Sequence, residues 1–256
     1  MSVHLYSFGD YEQEVVDLLY LAVVRSKHKN PILVDVGANL GTMSLPLAMK
    51  LRCQTISIEP QPLLNGLLKE NSAANGVGHL VRVVGKAAGS APGKSSFSID
   101  PTHLATAGLG GMVSGDAIEV EVERLDRIVS EEEWLRTAIL KVDVEGFERD
   151  VFAGAGELLA KRQPPIVFEV NLPALAGLGM TETDVAAPLR AVGYTRFYAL
   201  EKVLYPPENG VHQPANILAI TEDDVELAKA YGFSEHFAPK RRKFIPFAPL
   251  HFLQVT

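Results

Sequence analysis

An open α/β fold, with a largely parallel sheet covered by helices on both faces, is the fold class this sequence predicts. Three observations point to it. Short apolar runs alternate with stretches of helical period. The first run opens into an acidic, glycine-containing turn, in ILVDVGANLGTMSLPLAMK. Further acids stand directly after the later apolar runs, in TISIEPQP, AILKVDVEGFE and PPIVFEVN, where strands of such sheets turn their carboxyl ends to a ligand.

In chain order, residues 11–27 place Val15, Leu18, Leu19 and Ala22 on one helical face, which predicts a helical cap within 1–30. The core, 31–222, is expected to open with strand 32–36, a turn, helix 41–52, strand 54–58, helix 61–75 and strand 80–84. Residues 87–122 are rich in Gly, Ser and Ala, with SSFSID and AIEVEVE alternating as strands around TAGLGGMVSGD. This hairpin-like excursion either borders the substrate or is a surface loop without a role. The alternation resumes with helix 123–130, strand 138–142, helix 147–162, strand 165–170 and helix 181–192, whose start carries the capping pair Thr181 and Asp184. YTRFYAL and NILAIT pair as a closing antiparallel hairpin across EKVLYPPENGVHQPA. Residues 223–256 form an extension, and with no repeat or low-complexity linker a single domain over 1–256 is expected.

Composition narrows the function. A chain of 256 residues, 47% hydrophobic and 21% charged, can bury a large core. A net charge of −7 argues against a nucleic-acid groove, since phosphate binding rests on clustered Lys and Arg. The one dense cluster, Lys240–Lys243, reads as a solvated basic turn or as a contact for an anionic partner. Beyond it Phe244, Ile245, Phe247, Leu250, Phe252 and Leu253 are expected to pack on the body or on a neighbouring subunit, a route to a homo-oligomer. The lone Cys53 fits a reducing compartment and reads as a small packed residue. Trp134 reads as the anchor of an amphipathic helix. With no secretory signal and no apolar stretch near ~18 residues, the expectation is no membrane span and cytoplasmic residence.

The turn Gly37-Ala38-Asn39-Leu40-Gly41 opens into a helix, so its backbone amides are expected to face a ligand above the strand. Glu59 ends the next strand, where it would accept from a ribose diol. A dinucleotide fingerprint, G-x-G-x-x-G, uses its second glycine to let the backbone approach a pyrophosphate. Asn39 occupies that position here, and Asp35 adds negative charge. Both disfavour phosphate and suit S-adenosylmethionine, whose sulfonium and ammonium an acid can offset. The alternative is that Gly37 and Gly41 only shape a tight βα turn.

Asp143, Glu145 and Glu148 follow one buried strand; Glu169 and Asn171 lie at the end of the next. An alcohol acceptor must lose a proton, and the candidate bases are Asp143, Glu145, Glu169 and His212. His212, in GVHQPAN, also reads as a surface histidine, and Glu148 as an offset to a helix dipole. Asp143, Glu169 and Asn171 form an all-oxygen set suited to Mg²⁺ or Ca²⁺; the same acids could instead hydrogen-bond the acceptor or the cofactor's ammonium.

The segments DVGANLG, IEPQPLLNGLLKENSAANG and LKVDVEGFERDVFAGAGELL, followed by PPIVFEVN, resemble the FkbM family of S-adenosylmethionine-dependent methyltransferases over about residues 33–220. The third segment is the most specific. The resemblance implies the class I methyltransferase fold, a Rossmann-like seven-stranded sheet of order 3-2-1-4-5-7-6 with strand 7 antiparallel. It implies methylation of a hydroxyl on a small molecule, natural product or sugar, or of an amide in some relatives. By position, Asp35, Gly37, Ala38, Asn39 and Gly41 would bind the methionine part of the cofactor, Glu59 its ribose, and Pro60 and Ala88 would line it. Asp143 and Glu145 would face the methyl group and acceptor. Where the family often carries an acid after the third strand, this chain has Ala87-Ala88-Gly89-Ser90. Two other classes stand beside this reading: an NAD-dependent oxidoreductase, which Asn39 opposes, and a non-catalytic nucleoside-binding protein, which would need no acids beside the methyl group.

Overall fold

In the computed structural model the described residues are 12–99, 108–109, 116–200, 203–204 and 215–233. They form ten α-helices and twelve strands, of which the following build the core. Helix α1 (Gln13–Arg25) precedes β1 (Ile32–Val36), α2 (Ser44–Leu51), β2 (Gln54–Ile58), α3 (Pro62–Ala74) and β3 (Val81–Val84). A side excursion comprises β4 (Ala87–Ala88), β5 (Gly93–Ile99), β6 (Gly108–Leu109) and β7 (Asp116–Glu123). The core resumes with α4 (Leu125–Ile128), α5 (Glu131–Leu135), β8 (Thr137–Val142), α6 (Glu148–Ala153), α7 (Gly156–Lys161) and β9 (Ile166–Val170). It closes with α8 (Leu172–Gly177), α9 (Glu182–Ala191), β10 (Arg196–Ala199), β11 (Val203–Leu204), β12 (Ala215–Ile220) and α10 (Val225–Tyr231).

The main sheet has the order β3-β2-β1-β8-β9-β12-β10-β11. Strand β12 runs antiparallel to β9 and to β10, and β1 pairs in parallel with β2 and β8. This is the order 3-2-1-4-5-7-6 with strand 7 antiparallel, extended by the two-residue β11 at one edge. The expected excursion becomes a second sheet, β4-β7-β5-β6, with β5 and β7 antiparallel over seven residue pairs.

Alternation along the strands divides the core in two. Ile32, Val34 and Val36 face a cluster with Leu125, Trp134, Phe152, Leu159, Phe168 and Leu189. Leu33, Ile139, Val167 and Leu218 face the other side, under α1 and α10, with Leu18, Leu19, Val23 and Tyr231. Trp134 is fully buried and donates its indole N–H to the Arg162 carbonyl, 3.0 Å away, so it anchors its helix as expected. Cys53 is buried too, and burial pushes its thiol up to about 11.

Two expected helices differ from the expectation. The stretch 147–162 breaks around Gly154, where a Cβ would run into the carbonyl oxygen of Gly89. Helix α7 then restarts with the Asp126 carboxylate accepting from Glu157 N at 3.2 Å and Leu158 N at 3.0 Å. The stretch 123–130 is shorter than expected, because Ser130 and Glu133 form a capping box that starts α5. The box expected at Thr181 and Asp184 is present. Helices α8 and α10 were not expected. Residues 1–11 and the tail 234–256 with its basic cluster and apolar end lie outside the described residues. Among the described residues no helix is long and apolar enough to cross a membrane.

Candidate active site

The turn after β1 is held entirely from within. Gly37 N and Ala38 N both donate to the Ile58 carbonyl at 3.0 Å, and Gly41 N donates to Ala38 O at 2.8 Å. Asn39 N donates to Glu59 Oε2 at 2.9 Å, and Leu40 N to the Asn39 side-chain oxygen at 2.8 Å. The expectation that these amides face a ligand is therefore corrected: each is spent on the end of β2 or on the turn itself. Gly37 has φ +77°, and a Cβ there would strike the carbonyl oxygen of Asp143, so the turn can lie against the end of β8 only with glycine. Asn39, at φ 51°, takes the left-handed conformation that its short side chain tolerates.

Glu59 organises this turn from the neighbouring strand. Its Oε1 accepts from Gln61 N at 2.9 Å while Oε2 takes Asn39 N, and the residue is 5% exposed. Burial pushes its pKa up to about 7, against the pull of those two amides and of Lys141. A carboxylate oxygen has two lone-pair directions, so each retains one for a further donor.

Across the turn stands a group of acids. One carboxylate oxygen from each of Asp143, Glu145 and Glu169 lies within 4.8 Å of the other two. Burial and then its acidic neighbours, Asp143 first, push Glu169 up to about 8. Burial followed by Asp143 also raises Glu145, whose Oε2 accepts from the Asn171 amide at 3.0 Å. Glu12, at the start of α1, bears on both. Such a group can take a proton from an acceptor, receive hydrogen bonds from hydroxyls, or offer oxygens to a divalent cation.

Glu145 holds φ 55°, a conformation costly for a side chain of this kind. Glu148 holds it there. Its Oε1 accepts from Val144 N at 3.1 Å and Gly146 N at 3.2 Å, while the residue is 0% exposed and burial pushes its pKa up to about 7. Glu148 thus locks the loop that carries Asp143 and Glu145, beyond any role in offsetting a helix dipole.

The remaining expected residues are placed as follows. Asp35 is wholly buried behind the turn: Oδ2 accepts from Ser44 Oγ at 2.5 Å, and Oδ1 lies 3.5 Å from Lys141 Nζ. Its charge is matched inside the protein rather than by direct exposure to a ligand. Asn171 joins the acids through Glu145, yet its oxygen accepts from Ala174 N and caps α8. Glu145 therefore stands with Asp143 and Glu169 where the sequence reading put Asn171. Ala38 packs with Leu45 and Leu68, Gly41 lies close against the same two leucines, Pro60 is half-buried, and Ala88 is core. His212 lies outside the described residues. Lys141 was missed altogether; its signal was a lysine inside an otherwise apolar strand, AILKV, and it is 4% exposed.

Comparison with known proteins gives the family. The Methyltransferase FkbM domain matches residues 35–195. A hexuronic acid methyltransferase, AglP, of Haloferax volcanii is 28% identical over 144 residues, 56% of this chain and 56% of that protein. Methyltransferase sdnD of Sordaria araneosa is 30% identical over 162 residues, 50% of this chain and 61% of that protein. The chain thus spans somewhat over half the length of the curated relatives it matches. A crystal structure of methyltransferase FkbM from Methylobacillus flagellatus aligns with a TM-score of 0.48 at 14% identity, over 78% of this chain and 48% of that one. With the domain matched across well over half its length, the chain belongs to the FkbM methyltransferase family.

Proposed function

We propose that this protein is an S-adenosylmethionine-dependent methyltransferase that methylates a hydroxyl of a small-molecule or sugar acceptor. The observation that carries the reading is the group Asp143, Glu145 and Glu169, gathered at the ends of β8 and β9 across from the Gly37–Gly41 turn. The turn supports the choice of donor. A pyrophosphate needs free amides at such a turn, and all five here are spent, whereas S-adenosylmethionine carries no phosphate. Glu59 would accept from the ribose diol, and the acids would offset the cationic end of the donor. The relative named as a hexuronic acid methyltransferase favours a sugar acceptor.

In the proposed reaction the acceptor oxygen attacks the methyl carbon as the carbon–sulfur bond breaks, in line. The hydroxyl proton passes to a carboxylate of the acid group, and neutral S-adenosylhomocysteine leaves. Holding oxygen, carbon and sulfur collinear supplies much of the rate. Glu169 is the preferred base, because a carboxylate raised to about 8 takes a proton more readily than an ordinary one.

Calorimetry with S-adenosylmethionine, S-adenosylhomocysteine and NAD tests the donor. Saturable binding of the first two and none of NAD is expected; no saturation by either up to millimolar concentration defeats the reading. Transfer of labelled methyl to a panel of hexoses, uronic acids and amino sugars, with the product tested as ether, ester or amine, then tests the acceptor.

A further inference from the structure

Lys141 is a charged side chain set inside the sheet. It lies on β8 directly opposite Asp35 on β1, and Asp143, two residues on, shares its face. Its Nζ is 3.5 Å from Asp35 Oδ1, 3.2 Å from Asp143 Oδ2 and 3.2 Å from the Gly37 carbonyl oxygen. Burial pulls its pKa down, but the carboxylates of Asp143 and Asp35, with Glu12 also contributing, more than reverse this and hold it above the ordinary lysine value. On the far side of Asp35, Ser44 donates to the carboxylate and itself receives from Ser57 at 2.9 Å, so the charged pair is braced from α2 and β2.

Stability alone does not account for a lysine here. Burying an ion pair costs solvation, and apolar residues in place of both Lys141 and Asp35 would fill the core without that cost. Its position explains more. The β1–β8 pairing ends at Val36 and Val142, with Asp143 N donating to Val36 O as the last rung. The Lys141 ammonium reaches past that rung, to the carbonyl of the turn on one strand and to the side chain of the acid on the other.

We propose that Lys141 is a positioning residue of the methyl-transfer site. Its ammonium ties the Asp143 carboxylate to the Gly37 carbonyl, and so fixes the acid that faces the methyl group relative to the turn that carries the donor. The inference rests on the donor site proposed above. Displacements of about an ångström at such a site cost on the order of a hundredfold in rate, which gives the tie its purpose.

S-adenosylhomocysteine affinity, measured by calorimetry, is the probe. In Asp143→Asn the amide oxygen still accepts from Lys141, so only the carboxylate's charge is lost and affinity falls severalfold less than in Asp143→Ala, which breaks the tie and weakens binding about tenfold or more. Lys141→Met weakens it comparably, Lys141→Arg recovers most of the loss, and Lys141→Met adds less than about twofold in the Asp143→Ala background. Equal effects of Asn and Ala at 143, or independent, multiplying losses in the double variant, overturn the inference. Should Lys141→Met fail to fold, the Asn–Ala comparison decides alone. A parent protein that does not bind S-adenosylhomocysteine overturns the donor site itself, which is a separate result.

Discussion

Replacing Glu59 with alanine removes the carboxylate that holds the Gly37–Gly41 turn and that, in the proposed function, accepts from the ribose. Gln61 N and Asn39 N each lose an acceptor at 2.9 Å, and a ribose diol would lose two charge-assisted hydrogen bonds. At about 1.5 kcal/mol for each diol bond the loss is roughly 3 kcal/mol, or on the order of a hundredfold in the dissociation constant of S-adenosylhomocysteine. The pH dependence sharpens the test. The diol donates to the ionised carboxylate, whose pKa in the free protein is about 7, so affinity is full above that value and falls as pH drops through it. Binding at about pH 6 should be roughly tenfold weaker than at about pH 8 in the parent, while Glu59→Ala loses this slope. Calorimetry across that range, with circular dichroism to show that the variant is folded, reads both effects. A folded Glu59→Ala variant that binds within about twofold of the parent, or keeps the slope, refutes the assignment.

The carboxyls of Glu59, Glu148 and Glu169, raised to about 7, 7 and 8, favour the protonated folded state, a contribution present at acid pH and lost as pH rises through those values. Glu148→Gln keeps the oxygen that accepts from Val144 N and Gly146 N while removing the buried charge, so its melting temperature should rise near pH 8 and be little changed below about pH 4, where the carboxyl is protonated in both states. Glu148→Ala strands both amides and should destabilise by about 2 kcal/mol or more. Gly37→Ala, at φ +77° against the Asp143 carbonyl, should abolish S-adenosylhomocysteine binding, whereas Gly76→Ala, at φ +69° in open space, should cost only about 1 kcal/mol in chemical denaturation and leave binding intact. Because Lys141 already places a cation 3.2 Å from Asp143, chelation of divalent metal should leave S-adenosylhomocysteine affinity unchanged, and a drop of tenfold on adding EDTA would restore a metal to the site.

Local pattern alone determined most of the order of strands and helices. Apolar runs of strand length alternate with helical periods, and the central runs β1, β8 and β9 are buried on both faces, so their composition declares them without reference to any partner. The acids at the strand ends were legible for the same reason: position after a buried strand is a sequence property. Charge pairing was not. Asp35 looks like a ligand-facing acid and Lys141 like an interruption in a strand until β1 and β8 are set side by side, because a pair separated by about a hundred residues becomes visible only through the sheet register. The same holds for Glu148, whose place at the start of a helix concealed that the loop folds back onto its carboxylate, and for Gly154, where another segment's carbonyl leaves no room for a side chain. Sequence shows which groups are available near a crevice; only the packed chain decides which of them are spent on one another and which are left for a ligand, since burial makes every charge and amide seek its partner first.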